Sequence, residues 1–136
     1  RALGDLKQGV EKALEILDFM QITHLKDELV MDLPHGSQRV MGIAIALACE
    51  PKTLLLDEPL TGMTPTEKAN MLDLIRKIHH QGVTILIVEH DMRSVMELCQ
   101  YITVLNFGKK LAEGTPEEIQ RNSDVIQAYL GGAAVA

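Results

Sequence analysis

The sequence predicts an α/β fold in which helices cover both faces of a mostly parallel sheet. Residues 53–56 and 83–88 are unbroken apolar runs of the kind that form buried parallel strands. Between them, Thr64 begins a helix-capping sequence, so a strand, a helix and a strand follow in order. Ligands bind beyond the carboxyl ends of the strands in such sheets, and we expect the functional residues there.

The composition indicates a single globular domain and disfavours several classes of protein. The chain has 136 residues, 46% hydrophobic and 24% charged, as in one globular domain large enough to bury a core. A net charge of −6 and 3% aromatic residues disfavour binding to nucleic acid or anionic membranes. Cys49 and Cys99 lack disulfide-framework or zinc spacing, which fits a reducing compartment. The apolar run 40–49 is too short to span a bilayer, so a membrane role requires a partner.

The first elements are helical. Apolar residues at helical spacing predict a helix over 5–19, namely Val10, Ala13, Leu14 and Leu17. Residues 21–32 are mixed and predict a loop with one short helical turn. Pro34 and Gly36 interrupt the chain, and a helix follows over 37–49. Its apolar residues are not confined to one stripe, so we expect burial on most sides.

A strand–helix–strand unit comes next. The strand over 53–56 leads to a helix over 64–80, in which Thr is the N-cap, Pro the first residue and Glu67 the third. The predicted buried positions of this helix are Met71, Leu74, Ile75 and Ile78. Gly82 ends it, and residues 83–88 form the second strand.

The remaining elements are short. Asp91 caps a predicted helix that ends near residue 99, and residues 101–106 predict a third strand. Asn106-Phe107-Gly108 predicts a tight turn into a strand over 110–113.

The helix-start chemistry is repeated at Thr115-Pro116-Glu117-Glu118. A last helix is predicted over 123–130, ending at Gly131-Gly132 and followed by a frayed Ala-rich tail.

The strongest chemical signal is the pair Asp57 and Glu58, which follows three leucines and precedes Pro59. Adjacent side chains on extended backbone point in different directions, so the two carboxylates can act separately. Asp57 can hold Mg²⁺ through water, and Glu58 can orient or deprotonate an attacking water. The alternative interpretation is two acids at a strand end, one of which caps a turn.

Two further segments suit a phosphate. His90 follows the second predicted strand, and its imidazole can donate to a phosphate oxygen, although a surface histidine is the alternative. The loop 33–39 opens into a helix, whose first backbone N–H groups and dipole favour an anion. His35 and Ser37 can add side-chain donors. The alternative is a simple helix start with Ser37 as its cap.

Taken in order, these segments resemble the C-terminal part of the ATP-binding subunit of ATP-binding cassette (ABC) transporters, over nearly the whole chain. Residues 33–37 resemble the signature loop, which 38–39 continue. Residues 54–58 resemble the Walker B strand with its catalytic glutamate, 60–64 the D-loop and His90 the switch histidine. Several motifs in the right order are more specific than one alone.

The resemblance implies an incomplete P-loop NTPase (RecA-like) sheet with part of the ABC helical subdomain. Residues 1–50 would form the end of the helical subdomain, with the signature loop and helix, and residues 51–136 the C-terminal half of the ATPase core. The implied cofactors are ATP and Mg²⁺. The implied partners are a second ATPase subunit, arranged head to tail, and transmembrane permease subunits, with no nucleic acid. The implied location is the cytoplasm, peripheral on the inner face of the plasma membrane.

The resemblance also implies a role for each matching residue. Glu58 and His90 are the implied catalytic residues, and Asp57 supports Mg²⁺ through water. Thr64 lies at the D-loop position of the nucleotide site. The implied contacts to ATP held by the partner subunit come from the signature loop: Leu33, Pro34, His35, Gly36, Ser37 and Gln38.

Several segments are similar to the ATPases of branched-chain amino-acid importers. The implied function is therefore coupling of ATP hydrolysis to the uptake of these amino acids. Related urea and amide importers have similar features. The segments that carry the narrower resemblance are 33–36, 62–65, 88–92, 113–118 and 128–131.

The sequence departs from the family pattern at five positions. Pro34 replaces the usual signature serine and has no hydroxyl, His35 replaces the first glycine, and Ser37 stands where Gln is common. Thr64 occupies the usual D-loop acid position, and Ile45 replaces a frequent Arg. Backbone amides of the loop, with Ser37, are therefore expected to hold phosphate.

No G-x-x-x-x-G-K-[ST] sequence is present in the 136 residues, since the single Gly-Lys pair at Gly108 has Thr103 in place of the first glycine. The backbone cradle and lysine that bind the β and γ phosphates are therefore missing. The resemblance implies that the chain begins inside the helical subdomain and has no useful ATP site by itself.

Three other functions compete with this interpretation. The first is a non-catalytic half-module that lends its signature loop to a complete ATPase. The second is a stand-alone magnesium phosphohydrolase that uses Asp57 and Glu58. The third is an ABC ATPase of DNA repair, although that family usually carries long insertions that this sequence lacks.

Overall fold

A computed structural model describes residues 2–130. The chain divides into two compact units, residues 1–88 and 89–136. Among the described helices, none combines the length and the apolar character needed to cross a bilayer.

The first unit alternates helices with two strands. The predicted strand–helix–strand order is confirmed, and the segment 21–32 contains two short 3₁₀ turns rather than one turn. The elements are α1 (Ala2–Phe19), 3₁₀ turns at Thr23–Leu25 and Val30–Asp32, α2 (His35–Leu47), β1 (Thr53–Asp57), α3 (Pro65–His80) and β2 (Thr84–Val88).

The second unit is a hairpin with short helices. Its elements are α4 (Met92–Leu98), β3 (Ile102–Asn106), β4 (Lys109–Gly114), α5 (Pro116–Arg121) and α6 (Ser123–Val125), which continues as a π-helical turn at Ile126–Leu130. The predicted end at Gly131-Gly132 and the Ala-rich tail lie outside the described residues.

The strands form two separate pairs. Strand β1 pairs with β2 in parallel, with Leu54 opposite Ile85. Strand β3 pairs with β4 in an antiparallel hairpin, with an irregularity between Val104 and Leu105. Only β1 and β2 therefore follow the predicted parallel arrangement, because the tight turn after β3 returns the chain directly alongside it.

One face of the parallel pair is uncovered, contrary to the expectation of helices on both faces. Leu54 and Leu56 are buried, whereas Leu55 is 68% exposed. On β2, Leu86 is 60% and Val88 56% exposed. Because successive strand residues point to opposite faces, these exposed side chains lie on one side of the pair.

Helix α2 also differs from expectation. It begins at His35, and the residues that it buries are Gly36, Ile43 and Ala44, while Ile45 is exposed. The prediction of burial on most sides is wrong for the described chain, because its apolar residues exceed what the neighbouring elements cover. Helix α3 matches its prediction, since all four predicted core residues are buried.

The second unit has a small core of its own. Its buried residues come from the hairpin and the following helices: Ile102, Val104, Ile119 and Val125. The predicted turn has Phe107 at φ 46° and Gly108 at φ 73°, the left-handed pair that a tight hairpin turn requires. The Tyr129 hydroxyl donates to the Leu105 carbonyl, which ties the last described turn to the hairpin.

Candidate functional site

The acidic pair lies at the carboxyl end of β1. Asp57 is the last residue of the strand, and Glu58 follows it; both are exposed. The Glu58 N–H donates to the Val88 carbonyl at 2.8 Å, which extends the contact with β2 by one residue. Glu58 itself has φ 44°, a left-handed conformation that is uncommon for a residue with a side chain.

Hydrogen bonds hold both the backbone carbonyl and the side-chain carboxylate of Glu58. Its carbonyl accepts from the Thr61 N–H at 3.3 Å and from Arg39 Nη1 at 2.9 Å. Its carboxylate accepts from the Thr61 hydroxyl at 3.1 Å. The strand end is therefore a turn that presents a carboxylate, fixed by a residue on its own loop and by a cation on α2.

The loop after Glu58 leads into a capped helix. Gly62 has φ 78°, and a Cβ there would lie 3.7 Å from the His35 ring. Thr64 caps α3, and the Glu67 carboxylate accepts from the Thr64 N–H at 2.8 Å and from its hydroxyl at 2.9 Å. These hydrogen bonds, with a smaller contribution from the charge of His35, hold the pKa of Glu67 below its usual value.

The predicted phosphate loop lies at the start of α2. Leu33 is buried, and its carbonyl accepts from Gln38 Nε2 at 2.8 Å. Pro34 is the N-cap, and among residues 2–130 no side chain caps this helix. Ser37 lies inside the first turn, so the interpretation of Ser37 as the cap is wrong, because the helix begins two residues earlier than predicted.

Gly36 lies against the helix that follows the D-loop position. A Cβ on this buried residue would be 2.8 Å from Glu67 Oε1, so a side chain here would displace the Glu67 carboxylate. The start of α2 is therefore in contact with the start of α3.

His90 belongs to the second unit. It is exposed, and its N–H donates to Glu89 Oε2 at 3.3 Å. The next residue, Asp91, caps α4 as predicted by accepting from the Ser94 N–H at 3.4 Å.

The first unit thus brings together the start of α2, Glu58 and the loop to Thr64. Two residues that join them, Arg39 and Glu67, were given no individual role by the sequence patterns. The signal for Glu67 is only that of a capping box, and the signal for Arg39 is only its place at the end of the segment that continues the signature loop.

The acidic pair suits a Mg²⁺ that is also bound by phosphate. Within the described residues, no three His, Cys, Asp or Glu side chains form a metal-binding group. Mg²⁺ typically takes one or two carboxylates together with water and phosphate oxygens, rather than a cage of protein ligands. The exposed carboxylates of Asp57 and Glu58 fit that donor set.

Comparison with known proteins covers both ends of the chain. A family model described as "ABC transporter" matches residues 6–61. A second, described as "Branched-chain amino acid ATP-binding cassette transporter", matches residues 109–135.

Curated relatives match over most of the chain. It is 40% identical over 128 residues to the high-affinity branched-chain amino acid transport ATP-binding protein BraF of Pseudomonas aeruginosa, covering 93% of this chain and 50% of BraF. It is 39% identical over 127 residues to LivG of Escherichia coli, with the same coverage of 93% and 50%. It is 35% identical over 125 residues to the lipopolysaccharide export ATP-binding protein LptB of Haemophilus influenzae, covering 92% of this chain and 52% of LptB. The chain thus spans about half the length of the curated relatives it matches.

Solved structures agree with this similarity. The ADP conformation of an ATP-binding cassette of an ABC transporter superposes with a TM-score of 0.82 and 29% identity, over 91% of this chain and 50% of that one. A nucleotide-free ATP-binding cassette gives a TM-score of 0.76 with 28% identity, over 91% and 47% of the two chains. The fold is that of the P-loop NTPase core of such cassettes, and the chain belongs to the ABC transporter family of ATP-binding proteins.

Proposed function

We propose that this chain is the C-terminal part of an ABC importer ATPase subunit that couples ATP hydrolysis to uptake of branched-chain amino acids. The observation that carries the proposal is the acidic pair at the end of β1, with Glu58 held by Thr61 and Arg39, in a chain 40% identical to BraF. Residues 1–50 then belong to the helical subdomain and residues 51–136 to the ATPase core.

Each residue has a defined task in this proposal. Glu58 orients the attacking water and takes its proton, and Asp57 holds the ion through water. Mg²⁺, when bound, neutralises charge on the phosphate oxygens. His90 donates to the γ-phosphate. Hydrolysis then depends on positioning and electrostatic stabilisation, with little covalent work for the protein.

A second subunit completes the site in this proposal. The signature loop, residues 33–38, closes over ATP held by the partner, and Thr64 lies in the loop that faces it. The three N–H groups of a first helical turn have no acceptor within the helix, so they suit phosphate even though Pro34 lacks a hydroxyl. Closure of the head-to-tail dimer moves transmembrane permease subunits at the inner face of the plasma membrane.

Glu58→Gln in the complete subunit tests the central residue. General-base catalysis contributes about 10²- to 10⁴-fold, so the turnover number for ATP should fall by that range while ATP affinity stays unchanged. Glu28→Gln, which changes an exposed carboxylate of the segment before α2, is the matched control and should retain full turnover. Normal turnover after Glu58→Gln would remove Glu58 from the role of base.

The transported solute needs its own test, because the ATPase does not touch it. The match at residues 109–135 favours branched-chain amino acids, whereas the chain is also 35% identical, over 92% of its length, to a lipopolysaccharide export protein. Vesicles that contain the assembled transporter should take up labelled leucine in the presence of ATP, and should not with Glu58→Gln. ATP-dependent uptake of urea without leucine would contradict this assignment.

A further inference from the structure

Arg39 makes a long-range contact to the backbone of the acidic turn. Its Nη1 donates to the Glu58 carbonyl at 2.9 Å, between residues 19 positions apart in the chain. That carbonyl also accepts from the Thr61 N–H, so the guanidinium binds the turn that follows β1 rather than a surface carboxylate.

The contact falls on a strained residue. Glu58 has φ 44°, and for a residue with a Cβ this region costs roughly 1–2 kcal/mol relative to ordinary extended or helical backbone. Such a conformation persists only when surrounding contacts determine it. The contacts that do so here are the Val88 carbonyl on the N–H of Glu58 and the two donors on its carbonyl.

The helix that carries Arg39 is itself fixed to this region. Gln38 Nε2 donates to the Leu33 carbonyl at 2.8 Å, and Gly36 lies against the Glu67 carboxylate, as described above. Arg39 is half-buried, and its Nε is shielded from solvent with no hydrogen-bond partner among the described residues. The shielded inner part of the side chain limits the positions that the guanidinium can reach.

We propose that Arg39 is a positioning residue for Glu58, whose carbonyl it holds so that the left-handed backbone presents the carboxylate in one orientation. This rests on the proposed function, in which that carboxylate handles the attacking water. Arg39 touches neither water nor nucleotide in this role. It acts by fixing the residue that does, and it links the signature-loop helix to the catalytic turn within one subunit.

The test measures ATP turnover and KM in the complete ATPase for Arg39→Gln and Arg39→Lys. Loss of a group that positions a catalytic residue should lower kcat about tenfold for Arg39→Gln, with KM for ATP changed less than about twofold. Arg39→Lys keeps a charged donor but loses the planar fork, so it should restore part of kcat. Arg76→Gln removes an arginine that pairs with Asp73 on α3, and this control should retain full kcat.

Each substitution is also combined with Glu58→Gln. This distinguishes an effect on kcat that acts through Glu58 from one that acts through the stability of the protein. Once the base is absent, Arg39→Gln should alter the residual hydrolysis rate less than about twofold. An unchanged kcat for Arg39→Gln, or an equal loss with and without Glu58, overturns the proposal. If Arg39→Gln does not fold, Arg39→Lys decides by the same comparison.

The two proposals fail differently. Full turnover in Glu58→Gln overturns the proposed base and, with it, the role of Arg39. Loss of turnover in Glu58→Gln, together with undiminished kcat in Arg39→Gln, overturns only the role of Arg39.

Discussion

Glu67 shows how one carboxylate can serve several elements. It completes the capping box with Thr64, lies against Gly36 and interacts electrostatically with His35. A helix cap, which is a local device, thus also sets the position of the neighbouring helix start. Substitutions at Thr64 and at Glu67 should both lower the free energy of unfolding, and the pH dependence of that free energy should distinguish them.

Thr64→Ala removes the side-chain acceptor of the cap. The free energy of unfolding should fall by about 1 kcal/mol, because the N–H of Glu67 loses its acceptor. Urea unfolding followed by circular dichroism measures this change. Thr66→Ala, an exposed position two residues into α3, is the control and should change stability little; equal losses would contradict the capping role.

Glu67→Gln should remove a component of stability that depends on pH. Hydrogen bonds from Thr64 lower the pKa of Glu67 below its usual 4.5. Its stabilisation is therefore fully present above the unfolded pKa and is lost as pH falls through the folded pKa. The variant should be less stable at pH 7, and its stability should decline less steeply below about pH 4.5. Glu15→Gln, at an exposed position on α1, is the matched control. Parallel curves for Glu67→Gln and wild type would contradict the account.

At the scale of the elements, local chemistry was the most predictable part. Both capping boxes are written in adjacent residues, since Thr, Pro and Glu act within one turn of helix. The hairpin turn is likewise set by the segment 106–108. The site could be predicted only in part: Asp57 and Glu58 follow a recognisable strand, but the bond from Arg39 spans 19 positions and requires the folded chain.

Burial was less predictable than element type. An apolar run such as 53–56 predicts a strand. Whether both faces of that strand are covered depends on which other elements pack against it, and the run itself does not specify them. The same holds for α2, where Ile45 is apolar and exposed. The pairing of β3 with β4 follows from the turn between them, which overrides the parallel arrangement that the alternation of strands and helices favours.

The hairpin β3–β4 offers a stabilising change. Phe107 is 97% exposed and has φ 46°, so its ring gains no burial while its backbone is strained. Phe107→Asn should raise the free energy of unfolding by about 0.5–1 kcal/mol, because Asn tolerates the left-handed conformation. Thermal unfolding measures the shift. Phe107→Ala removes the same ring and keeps the strain, so it should give no such gain; equal gains would show that the ring alone is responsible.

At the scale of the whole molecule, the uncovered face of the parallel pair is the feature that most affects how the chain behaves in solution. Leu55, Leu86 and Val88 expose apolar surface on strands whose outer edges are unpaired among the described residues. Such a surface favours association with another chain.

The 136-residue chain should therefore self-associate at micromolar concentration. Leu86→Thr should raise the dissociation constant about tenfold, because each leucine contributes roughly 1.5–3 kcal/mol when buried. Sedimentation velocity measures the shift. Leu29→Thr alters a leucine of comparable exposure outside the strands and should leave association unchanged. A monomeric wild-type chain would contradict this prediction.

The most direct test of the account joins this chain to the half of BraF that it does not match, and measures ATP hydrolysis by the purified chimera. The account predicts that the chimera hydrolyses ATP, and that Glu58→Gln lowers the rate by about 10²-fold or more without weakening ATP binding. A folded chimera that binds ATP and hydrolyses it equally well with and without Glu58→Gln would contradict the central claim that Glu58 acts on the attacking water.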